Sequence, residues 1–311
     1  MKVNYKEMLS KYKSLIGLVL LCIVITFINP RFLTVSNIRN VLTQVSVNAI
    51  IAVGMTFVIL TGGIDLSVGS ILAISGASAA FLMKSTGNVF ISIIAALIIG
   101  ACIGAINGII ISKGKLQAFI ATLATMTIFR GVTYVFTNGI PISGLGKAFM
   151  VVGNKRFLGI PLPIIITLIA FLGAWYVLTQ TKYGRYVYAL GGNEDSARLS
   201  GINTDKIKSI VYVISGMMAA LSGIIVTSRI GSAGPTAGSG YELDAIAAVV
   251  IGGTSLSGGE GSITGTVIGA LIIGVLNNGL NLMNVNPFYQ SIVKGAVILI
   301  AVLLDKRNNK K

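Results

Sequence analysis

The chain has 311 residues, 54% of them hydrophobic and only 11% charged, with a mean hydropathy of +0.88. A soluble domain carries about 25% charged residues, so the deficit and the repeated long apolar runs exclude an ordinary soluble fold and point to a polytopic membrane protein. The absence of histidine excludes the usual metal, triad and imidazole acid–base chemistry, and the net charge of +15 sits in short loops and tails where positive-inside bias and anionic lipid account for it without nucleic acid.

Taken in order, the apolar runs predict an all-α membrane protein of about ten transmembrane segments, one of them short or discontinuous. The spans are Leu15–Ile28, Val41–Leu60, Leu66–Met83, Val89–Ile111, Phe119–Thr137, Pro163–Leu178, Ile207–Thr227, Leu243–Ile251, Ile263–Leu282 and Phe288–Leu304. The first follows a basic start but has no small-residue cleavage site after it, and reads as an uncleaved membrane helix. The eighth is too short for an ordinary span, so it is either a half-helix completed by irregular backbone or a re-entrant piece. Ten crossings put both termini, Lys113, Lys115 and the basic loop 180–208 on the cytoplasmic side. They leave Arg31, Arg39, Lys84, Lys147, Lys155, Arg156 and Arg229 outside, which agrees with the positive-inside rule. The organisation is therefore a cytoplasmic N-tail at 1–13, one transmembrane domain at 14–304 and a cytoplasmic C-tail at 305–311. Residues 138–162, rich in Gly and Pro, are expected to form ordered turns outside.

Loop 180–208 is the most polar stretch of the chain and cannot lie in hydrocarbon. Within it Asn193 suits an N-cap, Glu194 and Asp195 suit a positive helix start, and Gly201 suits the residue past a helix end. A short capped helix held at a membrane surface reads as a contact element for another protein. Two glycine-rich turns, TGGIDLSVGSI from Thr61 and IGGTSLSGGEGSI from Ile251, share GG-x-x-LS and suggest a faint internal duplication. They bring Gly62, Gly63, Asp65, Ser67, Gly252, Gly253 and Ser257 forward as ordered turns or as part of a translocation path.

Asp65 is the acidic residue at the edge of the early spans, and it either caps a helix beginning at Leu66 or meets a solute. Arg130 and Lys294 lie nearer helix interiors, where they snorkel, pair or line a path. Gln44, Ser46, Asn48, Thr56, Asn107, Asn277, Asn278 and Asn281 supply neutral hydrogen-bonding groups. These suit passage of a polyol or bonding between helices. Gly100, Gly104 and Gly108 form a GxxxGxxxG face for close helix packing, within the chain or across a dimer. Cys22 and Cys102 lie in apolar runs and form neither a metal pattern nor a disulfide. GIIISKGKL, from Gly108, misses the phosphate-loop spacing and its Ser or Thr. Any ATP chemistry must then come from another subunit.

TGGIDLSVGS (Thr61–Ser70), YGRYVYALGGNEDSARLSGI (Tyr183–Ile202) and AVVIGGTSLSGGEGSITGTVIGA (Ala248–Ala270) resemble the membrane permeases of bacterial ABC sugar importers, in order and spacing over nearly the whole chain. The resemblance implies a homodimer in the bacterial inner membrane importing a monosaccharide, ribose or a similar sugar. It implies a cytoplasmic ATP-binding cassette subunit that holds ATP and Mg²⁺, and an extracytoplasmic sugar-binding protein. It makes Gly191, Gly192, Asn193, Glu194, Asp195, Ala197, Arg198, Ser200 and Gly201 the coupling segment that docks on the ATPase. The chain itself would be neither enzyme nor cofactor carrier. The rival reading is an ion-coupled secondary transporter with broken helices at the glycine turns, which needs acidic relays in the membrane. On sequence only Asp65 is available for one.

Overall fold

Hydrocarbon offers no partner to backbone N–H and C=O groups, so apolar runs long enough to cross a membrane fold as helices. A computed structural model describes residues 5–308, and helix makes up 79% of it. The parts of the two tails at 1–4 and 309–311 lie outside the described residues. Thirteen α-helices follow in order among the described residues: α1 (Tyr5–Ile28), α2 (Val35–Leu60), α3 (Val68–Thr86), α4 (Val89–Ser112), α5 (Ala118–Thr137), α6 (Gly146–Asn154), α7 (Leu162–Gln180), α8 (Lys182–Gly192), α9 (Glu194–Leu199), α10 (Thr204–Ile230), α11 (Tyr241–Ile251), α12 (Ile263–Leu282) and α13 (Pro287–Asn308). Seven of them, α2, α3, α4, α5, α7, α10 and α12, are long and apolar enough to cross a membrane. Shorter apolar stretches, Lys13–Ile28 and Pro287–Ile300, lie within α1 and α13.

α2, α3 and α10 form the buried centre, and α4, α5 and α7 keep most of their apolar surface outward, as helices facing lipid do. Close approach at the centre depends on small residues. Along antiparallel α4 and α10, Gly100 meets Gly216 and Ala220, Gly104 meets Tyr212 and Val213, and Gly108 meets Ser209. A Cβ at Gly104 would sit 2.9 Å from the Val213 Cα, closer than packed carbons approach. The GxxxGxxxG face therefore packs within the chain. Gly265 and Gly269 do the same for α12 against Gly252 and Ala248 of α11.

α11 has 11 residues, a rise of about 16 Å at 1.5 Å per residue against a hydrocarbon core of about 30 Å. The irregular segment 231–240 leads into it from the end of α10. Arg130 of α5 satisfies that backbone by donating to the carbonyls of Pro235 (2.7 Å) and Ala237 (2.8 Å). A short helix preceded by irregular backbone is what both alternatives for this segment require, and Arg130 is engaged by that backbone rather than free to snorkel.

α1 begins at Tyr5, ahead of its apolar part at Lys13–Ile28; a helix whose end lies in water can continue past the apolar run. One local expectation changes. Residues 138–162 hold more than turns. They contain α6 and short strands: β1 (Ile142–Ser143) pairs with β4 (Ser232–Ala233), and β2 (Arg156–Phe157) pairs with β3 (Ile160–Pro161). α6 is anchored on the end of α10, where Ser228 Oγ accepts from Gly153 N (2.7 Å) and donates to Phe149 O (2.6 Å).

Candidate functional site

At the opposite end from α6 the chain leaves α7 and forms two helices, not the single one expected from the polar loop. Thr181 caps α8 by accepting from Gly184 N. Gly191 and Gly192 therefore belong to the end of α8. Asn193 caps α9 by accepting from Ser196 N (2.8 Å). Glu194, Asp195, Ala197 and Arg198 lie on α9, and Ser200 is its C-cap. Gly201 follows at φ +83°, the left-handed conformation that glycine adopts without strain. Ala197 is buried, and Leu199 is left 90% exposed.

α9 is tied to the start of α10. Glu194 accepts from Lys208 (2.5 Å) and from Arg198 (3.0 Å), and Arg198 also donates to Thr204 Oγ1. Burial pushes the Glu194 carboxyl up, but the hydrogen bond and charge of Lys208, with the charges of Arg198 and Lys115, outweigh it and hold it below the usual carboxylate range. The link is therefore present at neutral pH and is lost only as pH falls through that lowered value.

Both glycine-rich turns arrive at this same place. Gly259 N donates to Leu60 O at 3.0 Å, joining the turn after α11 to the end of α2. A Cβ at Gly258 would lie 2.9 Å from Gly62 N and 3.0 Å from Gly191 O. One at Gly191 would overlap the Leu60 carbonyl oxygen and the Gly259 nitrogen. Three backbone segments meet without side chains between them. Tyr188 of α8 donates to Gly261 O at 3.0 Å, adding a further tie. A hollow of about 590 Å³ lies beside this junction, lined by Gly62, Gly63, Lys115, Glu194, Arg198 and Tyr212 among others.

The remaining expected residues divide. Asp65 is fully buried; its Oδ1 accepts from Ser67 N (3.0 Å) and Ser67 Oγ (2.5 Å), and its Oδ2 accepts from Ser215 Oγ (2.7 Å). Asn107 Nδ2 donates to Ser67 Oγ. The helix begins at Val68, not Leu66, with Ser67 at the cap position. Asp65 thus closes a turn over two residues, as Asx turns do, and joins that turn to α10. Asp65→Asn, which keeps the acceptor and can meet a serine hydroxyl, is expected to fold and transport normally. Asp65→Leu strands buried donors and should lose roughly 2–4 kcal/mol of stability, read as a lowered thermal midpoint in detergent; equal midpoints in both variants would contradict this role.

Elsewhere Gly63 sits under the Tyr212 hydroxyl, Gly252 packs on Gly265, Gly253 takes φ +94°, and Ser257 is exposed. Asn278 exchanges hydrogen bonds with Asn37, both at 3.0 Å, far from the junction.

Two further acidic residues lie among the helices, where the sequence reading offered only Asp65. Asp244, in the first turn of α11, is buried, ion-paired with Lys294 at 3.0 Å and bonded to Asn48 Nδ2 at 3.1 Å. Glu242, beside it, accepts from Gly240 N. Acidic residues in a helix's first turn are the signal that could have found them.

Over residues 37–302 the chain matches the family described as the permease component of the branched-chain amino acid transport system. The chain belongs to this permease family. Among relatives of the permease, the ribose import permease protein RbsC of Escherichia coli (strain K12) is 56% identical over 306 residues, covering 97% of this chain and 95% of the relative. The RbsC of Bacillus subtilis (strain 168) is 54% identical over 310 residues, covering 99% and 96%. The D-allose transport system permease protein AlsC of Escherichia coli (strain K12) is 42% identical over 309 residues, covering 99% and 95%. No solved structure matches. Members named as transport permeases, together with seven apolar spans, make this chain a multi-pass membrane transport protein and not an enzyme.

Proposed function

We propose that this permease is the membrane-spanning subunit of an ATP-driven importer that brings ribose into the cell. The observation that carries the reading is identity of 54–56% with ribose import permeases over nearly the full length of both chains. The 42% identity with a D-allose permease sets that sugar lower. Capture of sugar outside the cell is left to an extracytoplasmic partner, and ATP and Mg²⁺ to a cytoplasmic ATPase, so the chain needs no cofactor of its own.

We read ten crossings: the seven long helices, α1, α13 and the half-helix α11 completed by 231–240. Both termini then face the cytoplasm, together with α8 and α9, and 14–304 forms one transmembrane domain. A homodimer, which the family resemblance implies, presents two α9 helices to a pair of ATPase subunits. Asn193 to Gly201 is the docking element, and Gly191 and Gly192 connect it to the membrane helices.

The geometry supports a route for coupling. Closure of the ATPase pair displaces α9; α8 moves with it, and Gly191 bears directly on the end of α2 at Leu60 and on the turn between α11 and α12 at Gly259. Helices that start from the two glycine turns, α3 and α12, then rock as units.

The test is uptake of radiolabelled ribose in bacteria whose own ribose permease is deleted, with this chain supplied beside its ATPase and binding protein. Ribose uptake is expected, with unlabelled ribose competing better than D-allose or L-arabinose. Uptake blocked better by D-allose would overturn the assignment to ribose.

A further inference from the structure

Away from the α9 junction, toward the end that carries α6, α2, α10, α11, α12 and α13 enclose a hollow of about 270 Å³. Its wall is polar in an organised way. Three helices each contribute two side chains one turn apart: Gln44 and Asn48 from α2, Asn277 and Asn281 from α12, Gln290 and Lys294 from α13. Residues four apart on a helix share a face, so three polar faces converge on one volume. Further along α2 and α12 toward the junction, Thr56 and Thr266, both buried, bond to each other at 2.8 Å.

The state of each group says what the hollow can take. Its charged pair is already neutralised, since Lys294 Nζ lies 3.0 Å from Asp244 Oδ2. Gln290 Nε2 is engaged by Asn281 Oδ1 and Val285 O, and Arg229 by Thr43 O. Asn48 Oδ1 and Asn277 Oδ1, by contrast, are buried without a hydrogen-bond partner. For Asn48 this orientation is enforced, because its Nδ2 must face the Asp244 carboxylate, which only accepts. Two buried acceptors without donors are costly unless something supplies hydroxyl or N–H groups. A neutral molecule with several hydroxyls does so and adds no charge beside the Asp244–Lys294 pair.

We propose that this hollow is a monosaccharide subsite inside the permease, with Asn48 and Asn277 as the acceptors for sugar hydroxyls. The inference rests on the sugar-import reading and deepens it by naming the place and the residues. The satisfied groups around it leave few free contacts, so the sugar is held weakly and can move on.

The experiment uses the complete importer in proteoliposomes, with ATPase and binding protein, and radiolabelled ribose. Asn48→Leu and Asn277→Leu keep side-chain size and remove the acceptor. Each is expected to slow uptake about tenfold, with assembly confirmed by size-exclusion chromatography. A second measurement does not depend on those variants. In a Cys22→Ser, Cys102→Ser background, Gln290→Cys at the wall is labelled by a small methanethiosulfonate, and millimolar ribose is expected to slow labelling several-fold. Wild-type uptake in both leucine variants, or labelling unaffected by ribose, overturns the subsite and leaves the import reading standing. An intact importer that takes up no ribose contradicts the import reading instead.

Discussion

Leu199→Asp is expected to abolish ATP-driven sugar uptake while leaving the permease folded and inserted. Leu199 is 90% exposed at the end of α9, the only part of that helix's apolar surface so presented, whereas Ala197, two residues back and so on the opposite face, is buried. Covering a leucine removes apolar area worth about 2 kcal/mol from water. An aspartate in its place would have to be desolvated in any partner pocket, at a further cost. A loss of about 100-fold in uptake, roughly 2.7 kcal/mol, is in the range of a central interface residue. The side chain touches little within the chain, so its replacement should leave the thermal midpoint unchanged. Co-purification with the ATPase and uptake in proteoliposomes check both halves. Full uptake by Leu199→Asp would remove α9 from the docking surface.

Gly191→Val should be the most damaging single change at the junction. A Cβ there overlaps the Leu60 carbonyl oxygen and the Gly259 nitrogen. Both are backbone atoms, which cannot turn aside as a side-chain end can, and they are joined by the 3.0 Å bond that holds the two turns together. Overpacking of this kind costs about 1–3 kcal/mol, occasionally more. The valine is expected at or above the upper end, with uptake lost. The adjacent Gly192 is the control, since a Cβ there has open space around it: Gly192→Ala should transport at close to the normal rate. Thermal midpoints in detergent and uptake rates for the pair decide the matter, and equal tolerance at 191 and 192 would contradict the junction.

What was legible in the sequence is what depends on local pattern. Apolar runs, their bounds and the caps of α9 are set by residues within a turn or two of each other, and α12 begins and ends where its run does. The left-handed Gly201 belongs to the same class. Less legible was whatever needed a distant partner. The two glycine turns are almost 200 positions apart in the chain, and no periodicity announces that they meet at Gly191. α8 was hidden because Lys182, Arg185 and the tyrosines read as a polar loop, although a surface helix tolerates them on its outer face. The burial of Asp244 and Glu242 depends on 231–240 leading into α11 among the other helices; Asp244 lay inside the eighth predicted span without being singled out, and Glu242 lay just before it. For Asp65 the sequence left capping and contact with a solute both open, and the partner that ties it to α10, Ser215, lies 150 residues away.

The most direct test of energy coupling is sugar uptake by the purified chain in proteoliposomes, with its binding protein, in the presence and absence of the ATPase subunit. Uptake is predicted only when the ATPase and ATP are both present, and imposed proton or sodium gradients should add nothing. Uptake driven by an ion gradient without any ATPase would contradict the account, and would turn attention from α9 to Asp244 and Lys294.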